Sequence, residues 1–253
     1  MLRKAEALHK YTLGAQDGDI GKVKDFYFDD RYWTVRYLVA DTGNWLEERP
    51  VLISPYALVS VDEEREIIAT NLTRKQIEDS PPAASDKPVS RQFEVSYYAY
   101  YQWPVYWSGP YAWGAQPYPV PFRKRAKEVE EASWDSHLRS VREVEGYGVG
   151  ATDGEIGHIA DFIIDDKDWA IRYLVVDTRN WWPGKHVLMA PQWIERVSWD
   201  DRTVYVDLTR DAIKSAPEYM QDSVISREYE TELCRHYNRE GYWTQKGCAA
   251  GTA

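Results

Sequence analysis

The phrase RYLVADTGNW at residues 36–45 returns as RYLVVDTRNW at 172–181, an interval of 172 − 36 = 136 residues. The same offset lays GAQDGDIGKVKDFYFDD over GATDGEIGHIADFIIDD without a gap, and NLTRKQIEDSP over DLTRDAIKSAP. Residues 2–81 set against 138–217 give 31 identities in 80 positions. Chance similarity does not hold one register for so long, so the chain is an internal duplication and must build one architecture twice. The register runs past the cores: Ser90, Arg91, Glu94, Tyr101, Tyr106 and Trp107 meet Ser226, Arg227, Glu230, Tyr237, Tyr242 and Trp243. The chain therefore divides into a first core (1–81), an aromatic helical arm (82–107) and a linker without counterpart (108–137). A second core (138–217), a second arm (218–243) and a tail expected to be disordered (244–253) follow.

Inside each core the pattern is that of short strands. IGKVKDFYFDD is β-branched and aromatic, ends in an acidic turn and is followed by WTVRYLVAD, which reads as a hairpin. PVLISP, ALVSV and EIIATNL are further short strands, matched by HVLMAP, WIERVSW and VYVDL. Five or six short strands in about 70 residues suggest an all-β unit closed as a small barrel, which would leave no exposed edge. A short helix should end each core: Thr73 caps it with Gln76 placed for a capping box, Thr209 keeps the cap, and Pro81 and Pro217 stop it.

The run DG-[DE]-IG, then DF…DD…W, then RYLV-x-DT and LTR…SP, present in both copies, resembles the PRC-barrel domain. That domain forms the cytoplasmic part of the photosynthetic reaction-centre H subunit and the C-terminal part of a ribosome maturation factor. The resemblance implies two tandem small barrels used to dock other macromolecules, with no shared catalytic residue. It marks Asp17, Gly18, Gly21, Arg36 and Asp41, with Asp153, Gly154, Gly157, Arg172 and Asp177, as the signature of the repeated core. The chain is expected to depart from the H subunit, with no membrane-spanning N-terminal helix, and from the maturation factor, with no upstream partner domain.

A net charge of −10 and a pI near 5.1 set the surface against phosphate backbones and anionic bilayers, so nucleic acid is not an expected partner. No apolar run approaches the roughly 20 residues of a membrane span, and MLRKAEALHKYTLG lacks the apolar core of a secretory signal. Two cysteines, Cys234 and Cys248, cannot make a disulfide framework; the expected compartment is the bacterial cytoplasm.

The residues offer little for chemistry. The turns at Asp17–Asp19 and Asp153–Glu155 suggest calcium, but Ile20 and Gly21 interrupt the oxygen series and Phe28 stands where the closing Glu belongs. They read as Gly-containing hairpin turns, and Asp29–Asp30 and Asp165–Asp166 as solvated turns. Strand alternation sets Arg36 beside Leu38 and Ala40, facing outward or paired with Asp41, and Arg172 likewise with Asp177. The five histidines, His9, His137, His158, His186 and His236, show no ligand spacing. No catalytic residue, metal or cofactor is expected, and the chain does not read as an enzyme.

The arm is the unusual part. Residues 93–122 hold twelve aromatic rings, and no charged side chain falls between 95 and 122. Phe93, Tyr97 and Tyr101 follow helical spacing, as do Tyr229, Leu233 and Tyr237, with Ser90 and Ser226 as caps. Such a stripe either packs on its own barrel or anchors a partner; carbohydrate stacking is a third use. Tyr111, Trp113 and Tyr118 have no repeat-specified place, and with Trp103 and Trp107 they are the candidate partner-binding residues. The expected function is a non-catalytic docking or assembly module that binds a protein or self-associates, its two barrels pairing as a pseudo-twofold. The alternative is a protein that holds a small molecule or ion in the barrel cleft.

Overall fold

The computed structural model describes residues 1–43, 45–46, 50–82, 89–120, 137–178, 184–220 and 223–244. Most of the linker expectation (121–136) and of the tail expectation (245–253) therefore lies outside the described residues.

The first repeat begins with β1 (Leu2–Lys4) and a one-turn helix α1 (Ala5–Leu8). Strands β2 (Thr12–Ala15), β3 (Gly18–Asp29), β4 (Thr34–Asp41), β5 (Val51–Ile53), β6 (Leu58–Asp62) and β7 (Ile67–Thr70) follow, then α2 (Arg74–Glu78) and α3 (Arg91–Tyr101). The second repeat gives β8 (Leu138–Ser140), α4 (Val141–Val144), β9 (Gly148–Ala151), β10 (Gly154–Asp165) and β11 (Ile171–Asp177). It continues with β12 (His186–Met189), β13 (Ile194–Ser198), β14 (Thr203–Val206), α5 (Arg210–Ser215) and α6 (Arg227–His236). The elements recur at the 136-residue interval, β3 to β10 and β7 to β14 without a residue of slippage.

The protein is mostly β, in two seven-stranded sheets. One runs β5-β4-β3-β2-β7-β6, the other β12-β11-β10-β9-β14-β13, and the β2·β7 and β9·β14 contacts are parallel. The seventh strand of each sheet comes from the start of the other repeat. β8 pairs with β3 (Tyr27↔Ser140, Asp29↔Leu138), and β1 pairs with β10 (Leu2↔Asp165, Lys4↔Ile163). Two compact units result. One gathers Glu6–Ser140 with Asp166–Ala170, and the other gathers Met1–Ala5, Val141–Asp165 and the described chain from Ile171 on. We call them the repeat-1 and repeat-2 units.

Side chains fasten β8 to its host strand. Ser140 Oγ donates to Asp25 Oδ2 at 2.5 Å, and Arg139 Nε to Asp30 Oδ2 at 3.0 Å. Each core is apolar where the strands face inward: Leu13, Ile20, Phe26, Phe28 and Ile68 in one, Val149, Ile156, Phe162, Ile163 and Val204 in the other, all fully buried.

Two signature positions have a local cause. A Cβ on Gly21, at φ +149°, would stand 1.9 Å from the Asp41 carbonyl oxygen, and one on Gly157 would stand 2.0 Å from that of Asp177. Only glycine lets β3 and β10 approach the ends of β4 and β11 so closely. The acidic turns are also structural: Asp17 Oδ1 accepts the Arg74 N–H at 2.7 Å, and Asp153 Oδ1 accepts that of Arg210 at 2.8 Å. Each carboxylate thus takes one of the free N–H groups at the start of the short helix, and that bond holds the Asp153 carboxyl below its usual range. The Thr73–Gln76 capping box forms, with Gln76 N–H to Thr73 Oγ1 at 3.2 Å and Thr73 N–H to Gln76 Oε1 at 2.9 Å.

Candidate functional site: a caged arginine written twice

Arg36 is neither outward-facing nor paired with Asp41. Its Nε donates to Asp29 Oδ2 at 2.5 Å and its Nη2 also contacts that oxygen; the side chain is 0% exposed. The reason is a β-bulge. Tyr27 pairs with Tyr37 but Phe28 pairs with Val35, so Arg36 is the extra residue on β4, and the alternation on either side of it breaks. Val35, Arg36 and Tyr37 are all buried, as is the rest of β4 from Thr34 to Ala40. The second repeat does the same, with Ile163↔Tyr173 and Ile164↔Ile171 leaving Arg172 as the extra residue. Asp29 and Asp165 are therefore buried ion-pair partners rather than solvated turn residues.

Around the Arg36 guanidinium stand rings from the arm, the linker and the β3–β4 turn. Its carbon lies 3.8 Å from the Tyr106 ring centre, 4.7 Å from Trp113 and 5.9 Å from Tyr32. Its Nη1 donates to the Ala112 carbonyl at 2.6 Å. Helix α3, started by the Ser90 cap (Phe93 N–H to Ser90 Oγ, 3.2 Å), brings Glu94 under the cage. Glu94 accepts from Tyr37 Oη at 3.0 Å, Tyr106 Oη at 2.9 Å and Arg91 Nη1 at 2.8 Å. Burial pushes the Glu94 carboxyl up to about 7, against the pull of Arg91 and the two phenols. Burial likewise pushes the Tyr37 and Tyr106 phenols well up, so both stay neutral donors.

The candidate partner-binding residues separate. Trp103 and Trp113 are buried in the repeat-1 unit, and Trp113 Nε1 donates to the Asp168 carbonyl at 2.8 Å. These two are core, not free anchors. The turn that carries Trp113 is closed by Tyr111↔Gly114 and Trp113↔Gln116 bridges, and Tyr56 packs on its ring edge-on at 5.0 Å. Trp107 and Tyr111 are half-buried, and Tyr118 is 51% exposed.

The repeat-2 unit holds the same residues in a looser setting. Arg172 Nη2 reaches Asp165 Oδ2 at 3.4 Å, and its guanidinium carbon lies 4.0 Å from the Tyr242 ring. Glu230 accepts from Tyr173 Oη at 2.9 Å and contacts Arg227 at 3.0 Å, and burial raises its carboxyl too. Arg227 lies 4.0 Å from the Trp243 ring centre.

Chemically the cage holds a fixed cation, its counter-ion and a shielded carboxyl. In the repeat-1 unit Arg36, Asp29 and Glu94 are all buried. Among the described residues no set of three or more His, Cys, Asp or Glu side chains is placed to hold a metal ion. Sequence reasoning missed Asp29, Glu94 and Tyr106 as members of the cluster. The available signal was their identity with Asp165, Glu230 and Tyr242 at the repeat interval.

Two segments, residues 13–76 and 137–213, match the PRC-barrel domain, and the chain belongs to that family. Over 83 residues, 32% of this chain, it is 39% identical to a protein of Deinococcus radiodurans described only as uncharacterized. The match spans 28% of that relative's length. No helix among the described residues is long and apolar enough to cross a membrane.

Proposed function

We propose that the protein is a non-catalytic docking module of the cytoplasm, two PRC-type barrels that offer aromatic anchors to a protein partner or to a second copy. The observation that carries this is Tyr118. It is half-exposed on a charge-free, Pro-flanked stretch that is itself fastened to the repeat-1 unit through the buried Trp113. A rigidly mounted, solvent-facing ring costs little conformational entropy to bury and is a typical interface anchor. The titratable clusters support the same reading, because their charges are spent on internal pairs such as Arg36–Asp29 and Arg91–Glu94.

A photo-crosslinking amino acid at position 118, with Val59 (67% exposed) as the control site, tests it in a native lysate. A discrete adduct from position 118 and none from 59 is expected; an adduct at twice the chain mass identifies self-association. The same diffuse pattern from both sites, or no adduct, refutes docking at this face.

A further inference from the structure

Rings in the repeat-1 unit touch one another in a continuous line. Tyr100 meets Tyr101 edge-on at 4.8 Å between centres, Tyr101 meets Tyr97 at 4.9 Å, and Tyr97 meets Tyr37 at 5.4 Å. A branch leaves Tyr101 through the stacked Trp103 (4.5 Å) for Tyr56 (5.9 Å) and Trp113 (5.0 Å). Each spacing is that of aromatic pairs in contact. The line starts at Tyr100, 39% exposed, and ends at the fully buried Tyr37.

Packing alone does not require these rings. Tyr100, Tyr97, Trp103 and Tyr56 are matched at the repeat interval by His236, Leu233, Arg239 and Gln192. The second copy still builds α6 where the first builds α3. Both copies keep the inner end of the line, a buried phenol on a buried carboxyl group: Tyr37 on Glu94 at 3.0 Å and Tyr173 on Glu230 at 2.9 Å.

The phenols differ in what they face. Removing one electron from a phenol makes its proton strongly acidic, so the radical persists where a base within hydrogen-bond reach receives that proton. Tyr97, Tyr56 and Tyr100 donate to the backbone carbonyls of Leu52, Trp113 and Gln76, which take no proton. Tyr37 donates to a carboxyl group, and Arg91 Nη1, 2.8 Å from Glu94, favours the charged form that can accept.

We propose that Tyr37 and Glu94 form a tyrosyl-radical centre, fed through the ring line, that collects oxidising equivalents from diffusible one-electron oxidants of the nitrogen- and oxygen-centred radical class. The oxidant takes one electron from an outer ring and is reduced by it. An electron from Tyr37 refills that ring through Tyr97 and Tyr101, and the Tyr37 phenolic proton passes to Glu94. Tyr37 is left as the neutral radical and Glu94 as the carboxylic acid. A one-electron reductant of the enediol class, ascorbate for example, returns the electron by the same rings, and Glu94 returns the proton. This activity goes beyond docking and does not rest on it.

Azide radicals made by pulse radiolysis are the probe, applied to the full-length protein above pH 7, where Glu94 is ionised, with freeze-quenched samples read by EPR. An early mixture of tryptophan and tyrosine radicals should converge on one late tyrosyl signal. That signal should be lost in Tyr37→Phe and in Glu94→Gln, and kept in Tyr173→Phe, whose line is interrupted at Leu233. Glu94→Gln retains an acceptor for the Tyr37 hydroxyl but cannot take its proton, so it decides the matter alone if Tyr37→Phe fails to fold. A mixture that decays without converging, or a late signal that survives in either folded variant, overturns the proposal.

Discussion

Arg36 and Asp29 form an ion pair from which water is wholly excluded at the guanidinium, while their counterparts Arg172 and Asp165 form a looser one with both side chains partly wet. A buried pair broken from one side leaves a lone buried charge. Arg36→Leu should therefore cost about 3–5 kcal/mol, and Arg172→Leu clearly less. Urea midpoints of the two variants measure this. Equal losses would mean that the difference in burial carries no energetic weight. Adding Asp29→Leu to Arg36→Leu should recover much of the loss, because the stranded carboxylate goes with it.

Glu94 sets a pH dependence. Its carboxyl titrates near 7 in the folded protein against about 4.5 unfolded, so the folded state holds the proton more tightly. The stability this contributes is fully present below the unfolded value and is lost as pH rises through 7. Between pH 4.5 and 7 the unfolding free energy should fall with rising pH by about 3 kcal/mol from this group. Glu94→Gln, which cannot titrate, should flatten that part of the urea-midpoint profile. An unchanged slope would show that Glu94 is not its source.

Trp113 and Tyr118 lie five residues apart and should behave oppositely. Trp113→Ala empties a packed site and should cost about 3–5 kcal/mol, with early melting of the repeat-1 unit. Tyr118→Ser should change stability by about 0.5 kcal/mol or less. Differential scanning calorimetry separates them; a large loss at Tyr118 would place that ring in the core.

Residues 1–4 should stabilise a sheet that begins about 150 residues later in the chain. Their deletion removes β1 from β10 and should lower the stability of the repeat-2 unit by about 2 kcal/mol, the worth of a few backbone hydrogen bonds. Hydrogen exchange should quicken at Ile163 and Ile164, the β1-paired residues, and remain slow at Tyr27 and Phe28. Faster exchange in β3 instead would contradict the observed pairing.

Much of the architecture was legible in the chain because duplication repeats every local signal. Strand positions, the Thr73 and Ser90 caps and the helical stripe at Tyr97 each had a second copy to agree with. Arg36 was not legible, because alternation assumes an unbroken pleat and the bulge falls on that residue. The seventh strands were not legible for a different reason. β1 reads LRK and β8 LRS, and β3 and β10 present matching edges, so nothing local tells either strand which copy to join. Trp113 was misjudged because the repeat offered no counterpart against which to place it.

The exchanged strands also set an order of events at the ribosome. The partner of Asp29 is Leu138, so the edge of β3 must wait for roughly 110 further residues to be made. At about 5–20 residues per second that is on the order of ten seconds, with the nascent sheet open along one side. The first copy finishes only when the second has begun to emerge, and Leu2, made before the rest of the first copy, waits longer still for Asp165. Each copy thus needs the first strand of the other to complete its seven-stranded sheet.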